Sequence, residues 1–191
     1  IGLGKATFFE SLAAGRSGIS PVESFDASKL GRSNAGEVKQ FRAQDHLSVA
    51  ETRRMGRCSQ MALAAARMAI ADAALSDTAL HGPRASVVLG TTMGEADVLE
   101  DLDHAWIAKG VAGVRRAWIP KYGSTLLSVH VARAIGSEGA VLTLPAACAA
   151  GNYAIGLATD LIRAGKADVI VTGAAEMLQE LQYSGFVRLA A

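Results

Sequence analysis

Cys148 sits in L-T-L-P-A-A-C-A-A-G-N-Y-A-I-G, between an apolar run stopped by Pro145 and a helical pattern that opens on Ala149, Ala150 and Gly151. At such a strand-to-helix elbow a thiol meets free backbone N–H groups and the positive end of a helix dipole, and both favour an anion. The same donors would serve an oxyanion on an acyl group carried by the sulfur. A dipole contribution of about 1.4 kcal/mol, roughly one pKa unit, lifts the thiolate fraction at neutral pH from about 3% to about a quarter. Further activation needs a cationic or histidine neighbour. Ala146, Ala147, Ala149 and Gly151 leave space for an acyl chain or for a closely approaching backbone. Cysteine is also among the most buried residue types, so on these residues alone a small core hydrophobe is the stronger reading of the thiol.

The remaining chemistry-bearing residues give weaker signals. Cys58 enters an Ala-rich helical pattern and reads as structural, and two cysteines are too few for a disulfide framework. His46, His81, His104 and His130 are not read as catalytic, and His130, within S-T-L-L-S-V-H-V-A-R, reads as a surface or satisfied core residue. Arg53, Arg54 and Arg57 form a local basic cluster. With 19 Lys+Arg against 18 Asp+Glu, the net charge of +1 supplies no overall field for nucleic acid or an anionic membrane, so an electrostatic partner must see a patch of this kind. A basic stripe is otherwise a solvated face, and rim contacts of this sort contribute about 1 kcal/mol or less each.

The elements that must position these groups follow from periodicity. Residues 5–15 place Phe8, Phe9, Leu12 and Ala13 on one helical face, with Gly15 where a glycine cap belongs. Residues 16–57 are read mostly as loop, with an edge strand over 36–41. The pattern over 59–75 predicts a helix buried on most sides, because polar residues occupy only one narrow stripe. Ala85-Ser86-Val87-Val88-Leu89-Gly90 reads as a strand covered on both faces, Ala140-Val141-Leu142-Thr143-Leu144 as a second buried strand, and Asp168-Val169-Ile170-Val171-Thr172-Gly173 as a third strand. Helical patterns lie over 95–109, 124–135 and 149–163. Strand, helix and strand in close succession give an α/β class with crossover units, and one domain is the economical count. No run reaches the roughly 18 apolar residues of a membrane span and no signal peptide is evident, which makes a cytoplasmic location the default.

The segment 145–176, P-A-A-C-A-A-G-N-Y-A-I-G-L-A-T-D-L-I-R-A-G-K-A-D-V-I-V-T-G-A-A-E, resembles the nucleophile segment, helix and following strand of the β-ketoacyl synthases of fatty-acid and polyketide assembly. Residues 51–75 are similar to that family's first long helix, and S-V-V-L-G-T-T-M-G to its strand and turn beside the acyl pocket. The resemblance spans nearly the whole chain. It implies the N-terminal half of a thiolase-like α/β fold, a mixed, mostly parallel sheet with helices on both faces. It also implies a condensing acyltransferase in which Cys148 takes an acyl group from an acyl carrier protein, and a malonyl-type carrier thioester then loses carbon dioxide and attacks. Met93 and Phe186 match positions that line the acyl pocket. Arg53 and Arg54, in the cluster with Arg57, match positions that meet the carrier. No metal or organic cofactor is implied. The strand over 140–144 is expected to pair across a homodimer or with a related ketosynthase-like subunit, since an uncovered strand this apolar would be an aggregation edge.

The departures are specific. The family's two active-site histidines and its lysine belong to a C-terminal half not found in this chain, and its first strand should precede Ile1, so the chain is expected to be a fragment inactive by itself. Ala146 stands where the family often has Thr. Three alternatives follow: a thiolase or coenzyme-A-primed initiating synthase, a non-catalytic partner subunit, and an inert fragment of its parent chain. The long helix with its arginine cluster argues against the first, and retention of Cys148 against the second.

Overall fold

The computed structural model describes residues 1–190. In chain order the elements are α1 (Lys5–Ala13), β1 (Ile19–Pro21), β2 (Asn34–Gly36), α2 (Val49–Arg54), α3 (Arg57–Asp72), α4 (Asp77–Leu80), β3 (Ala85–Gly90), α5 (Ala96–Lys109), α6 (Leu126–Ile135), β4 (Val141–Leu144), α7 (Ala150–Arg163), β5 (Val169–Ala174) and α8 (Glu180–Arg188). They form two compact units, Ile1–Arg42 with the segment from Met177 onward, and Ala43–Glu176.

The larger unit is built on three parallel strands in the order β4-β3-β5, where the three apolar runs predicted strands, but β4, expected to be buried, lies at the sheet edge with Val141 and Leu142 exposed. Every residue of β3 is buried, which for a strand requires cover on both faces. Val88 packs against Ala154 and Ala158 of α7, with Leu144, Leu157, Leu161 and Ile170 around them. Side-chain alternation turns Val87 and Leu89 to the opposite face, where α6 lies on β3 and β4 and α3 packs behind it. The small side chains of α7 let the helix settle close to the sheet, and the helices occupy both faces as the resemblance implied.

Two local expectations change within this unit. The long helix runs from Arg57 to Asp72, and its burial is confined to its first part, at Cys58, Ser59, Ala62, Leu63, Ala64 and Ala66. Beyond Arg67 its Met68, Ala69 and Ala71 are exposed, so the alanine-rich tail is open where the pattern predicted cover. Residues 43–57, read as loop, contain α2. Its entry is a capping box in which Ser48 and Glu51 exchange side-chain-to-backbone hydrogen bonds.

In the smaller unit α1 ends as predicted. Gly15 adopts a φ of 65°, its N–H donates to the Leu12 carbonyl, and the Arg16 N–H donates to Ser11. Its apolar face is nevertheless exposed at Phe8, Phe9 and Leu12, and the buried residue is Ser11. The expected strand over 36–41 is displaced: β2 ends at Gly36, paired antiparallel with β1. Side-chain bonds hold the next residues in place of a ladder, with Glu37 accepting from the Glu23 N–H and Lys39 donating to the Pro21 carbonyl and to Glu23. Tyr183 of α8 donates to the Asn34 carbonyl at 3.1 Å and meets Phe25 edge to face.

Candidate active-site elbow at the carboxyl end of the sheet

Parallel pairing brings the carboxyl ends of all three strands to one edge, where Gly90 stands opposite Leu144 on one side and Ala174 on the other. Ligand sites of parallel α/β sheets lie at this edge, because the loops that leave it converge. Bonds beyond the strands tighten the convergence: the Thr91 N–H donates to the Leu144 carbonyl at 3.1 Å, and the Ala175 N–H to the Gly90 carbonyl at 3.2 Å.

From the end of β4, Pro145 and Ala146 lead into a 3-10 turn over Ala147–Ala149 that runs directly into α7. Cys148 is exposed at this elbow, so its sulfur is reachable. Ala147 is held at a φ of 49°, a left-handed conformation that costs a non-glycine residue about 1 kcal/mol. The amides of Ala149 and Ala150 donate to the carbonyls of Ala146 and Ala147. Those two donors are therefore engaged within the turn, where the sequence predicted free groups. A cleft of about 520 Å³ follows α7 past the elbow, lined by Leu144, Asn152, Tyr153, Gly156, Leu157 and Asp160, without Cys148 among its walls.

Glycines set how closely the elbow approaches the sheet. A Cβ on Gly90 would lie 2.3 Å from the Ala150 carbonyl oxygen, and one on Gly151 would lie 3.2 Å from the Ala174 Cβ. Met93 stands in the turn that leaves β3, partly buried, at the same sheet edge as Cys148. Phe186 lies on α8 in the smaller unit, exposed. Arg53 and Arg54 are exposed in the last turn of α2, and Arg57, half-buried, opens α3.

A polar framework supports this edge. Thr91 Oγ1 donates to the Glu176 carboxylate at 3.0 Å and accepts from the Gly94 N–H at 2.9 Å, and the Thr92 N–H also donates to Glu176. Cys58 is fully buried and its thiol donates to the Ala175 carbonyl at 3.3 Å. Burial above all, then the nearby carboxylates of Glu95, Glu176 and Asp97, push that thiol far above its ordinary range, so it stays protonated. His130 is half-buried, and burial followed by Arg133 lowers its pKa. Glu95, Glu176 and Gly90 were not singled out by sequence reasoning. Glu95 follows a glycine and precedes a helix, the usual signature of a residue capping its own helix, and nothing local reveals that its partners lie on α3. Among the described residues no group of three or more His, Cys, Asp or Glu is placed to hold a metal ion, and no helix is long and apolar enough to cross a membrane.

Comparison with known proteins agrees with this arrangement. The chain is 35% identical over 180 residues to 3-oxoacyl-[acyl-carrier-protein] synthase 2 of Synechocystis, covering 94% of this chain and 43% of that protein. It is 34% identical over 182 residues to the granaticin polyketide putative beta-ketoacyl synthase 1 of Streptomyces violaceoruber, covering 92% of this chain and 43% of that protein. Among solved structures, the ishigamide ketosynthase/chain length factor superposes with a TM-score of 0.92 at 33% identity, over 100% of this chain and 48% of that one. A ketosynthase in complex with its type II polyketide acyl-carrier protein superposes with a TM-score of 0.82 at 27% identity, over 100% of this chain and 46% of that one. The chain thus spans less than half the length of these relatives. Residues 1–191 match the N-terminal domain of the beta-ketoacyl synthases, and with its parallel sheet and the flanking helices in the same arrangement as solved ketosynthases, the chain belongs to that family.

Proposed function

We propose that the protein of which this chain forms part catalyses decarboxylative Claisen condensation on acyl carrier protein thioesters in fatty-acid or polyketide assembly, with Cys148 as the nucleophile. The observation that carries this reading is an exposed cysteine at the elbow between β4 and α7 in a β-ketoacyl synthase domain. In the first half-reaction the Cys148 thiolate attacks the acyl carbonyl, the bond from that carbon to the carrier sulfur breaks, and the carrier thiol leaves with a proton. In the second, a malonyl-type carrier thioester releases carbon dioxide, its carbanion attacks the Cys148 thioester, and the cysteine sulfur departs as the β-ketoacyl carrier product forms. A thiolate accepts and releases acyl groups between thioesters at little net cost, which divides one hard step into two easier ones.

Met93 and Phe186 are assigned to the acyl pocket, and Arg53, Arg54 and Arg57 to the acidic carrier protein. Two exposed guanidinium groups at the end of α2 support steering of an acidic partner, strongest at low salt. A paired second subunit, identical or ketosynthase-like, is supported by β4, an edge strand of the three-stranded sheet with Val141 and Leu142 exposed. The solved relatives include a ketosynthase/chain length factor and a ketosynthase bound to its carrier protein. Retention of Cys148 favours the catalytic role over a non-catalytic partner subunit.

Incubation of the full-length protein with acyl and malonyl carrier thioesters tests the reading. Mass spectrometry of the carrier should reveal a β-ketoacyl product with release of carbon dioxide. Product formed only from coenzyme A thioesters would move the assignment to a thiolase or an initiating synthase.

A further inference from the structure

Glu95 is 1% exposed, yet its carboxylate does not serve the helix it precedes. It reaches across to the start of α3, where Oε2 accepts from the Cys58 N–H at 3.0 Å and Oε1 from the Ser59 N–H at 2.7 Å. These are first-turn donors, and the N-cap residue of α3, Gly56, has no side chain to satisfy them. A negative group at this end of a helix is favoured by the dipole as well. Gly56 lies against the same carboxylate, since a Cβ there would fall 2.2 Å from Oε2.

The contacts continue on both sides of Glu95. Toward the sheet, its neighbour Gly94 closes the turn that carries Met93, fixed by the Thr91 hydroxyl and packed so that a Cβ would lie 2.9 Å from the Ser124 Cα. Toward the surface, the Gln60 amide of α3 donates to the carbonyls of both Thr52 and Met55, each at 3.1 Å, fastening the end of α2 with Arg53 and Arg54 to α3. One buried carboxylate thus stands between the turn at the sheet edge and the helix pair that presents the arginines. A capping function alone is ordinarily met by a local Ser, Asp or Asn, whereas this one spans 37 positions of the chain.

Resting on the proposed condensing function, we propose that Glu95 is a positioning residue that holds the Arg53–Arg57 docking segment in register with the acyl-pocket turn at Met93, so that an acyl group delivered by the carrier enters in line with the pocket. Glu95→Gln keeps the size but sets an amide N–H₂ against one backbone donor. Loading of the full-length protein is compared with an acyl carrier thioester and with the small N-acetylcysteamine thioester of the same acyl group. Glu95→Gln should raise KM for the carrier-borne donor about tenfold while KM and kcat for the small donor stay within about twofold. Gly56→Ala, which crowds the carboxylate from the other side, should reproduce the split and stands in should Glu95→Gln not fold. Parallel losses with both donors, unchanged kinetics, or loss of fold in both variants would make Glu95 merely structural and overturn the proposal. Absence of loading in the unsubstituted protein with either donor would instead defeat the condensing function itself.

Discussion

Gly90 and Ala150 touch backbone to backbone: the place a Cβ on Gly90 would occupy lies 2.3 Å from the Ala150 carbonyl oxygen. The end of the central strand is thereby seated against the first turn of the helix that follows Cys148. Gly90→Ala must push α7 away from β3. We expect a loss of about 1–3 kcal/mol of stability from overpacking and a larger proportional loss of acyl loading, because the elbow moves with the helix. Urea unfolding and loading rates of the full-length variant check this, and unchanged loading would remove Gly90 from the positioning of the cysteine.

The left-handed Ala147 makes a second prediction, about the backbone that aims Cys148. Ala147→Gly relieves the strain but loosens the unfolded chain by a similar amount, so stability should change by less than about 0.5 kcal/mol. Ala147→Val, β-branched in a conformation that resists branching, should cost about 1–2 kcal/mol and reduce loading sharply. Equal behaviour of the two variants in thermal melting and loading would contradict the elbow geometry.

Glu51 predicts an acid-sensitive contribution to stability. Its hydrogen-bonded pairing with Arg67, at 2.6 Å, lowers its pKa from 4.5 to about 2, against the opposing effect of burial. A carboxyl whose folded pKa is depressed stabilises fully above its unfolded value, and the contribution fades as pH falls from about 4.5 toward 2. With the Arg67 side chain 40% exposed, solvent screening limits the effect to about 1 kcal/mol. Glu51→Gln preserves a capping-box partner for Ser48 but removes the charge. Urea midpoints of the full-length protein should differ between the two forms at pH 6 and draw together steadily as the pH falls from about 4.5 toward 2; a constant difference would refute the ion-pair origin.

The two cysteines should react differently. Alkylation of the native full-length protein with iodoacetamide is expected to modify Cys148 rapidly and Cys58 only on unfolding, since Cys58 is buried, bonded to Ala175 and held protonated. Peptide mapping over a time course distinguishes them, and early labelling of Cys58 would contradict its enclosure.

The β-strands and the elbow were legible because their signals are local. Val87, Val88, Val141 and Val169 lie in short apolar runs bounded by turns, and Pro145 ends one of them just before Cys148. Periodicity failed where long-range partners decide. The α1 stripe of Phe8, Phe9 and Leu12 is exposed, and in the tail of α3 Met68, Ala69 and Ala71 are exposed, although both patterns are apolar enough to suggest burial. The strand expected over 36–41 yielded to side-chain bonds from Glu37 and Lys39, which no alternation of apolar residues encodes. Glu95 was illegible for the same reason, because the N–H groups that explain it are 36 and 37 positions away.

The most direct measurement is the mass of the Cys148 peptide after the full-length protein has been incubated with an acyl carrier thioester, with one sample quenched before and a second after the malonyl donor is added. Residues 146–150 should carry the mass of one acyl group as a thioester, discharged on adding the malonyl carrier and absent from Cys148→Ala. An acyl group found on Cys58, or condensation that persists in Cys148→Ala, would contradict the account.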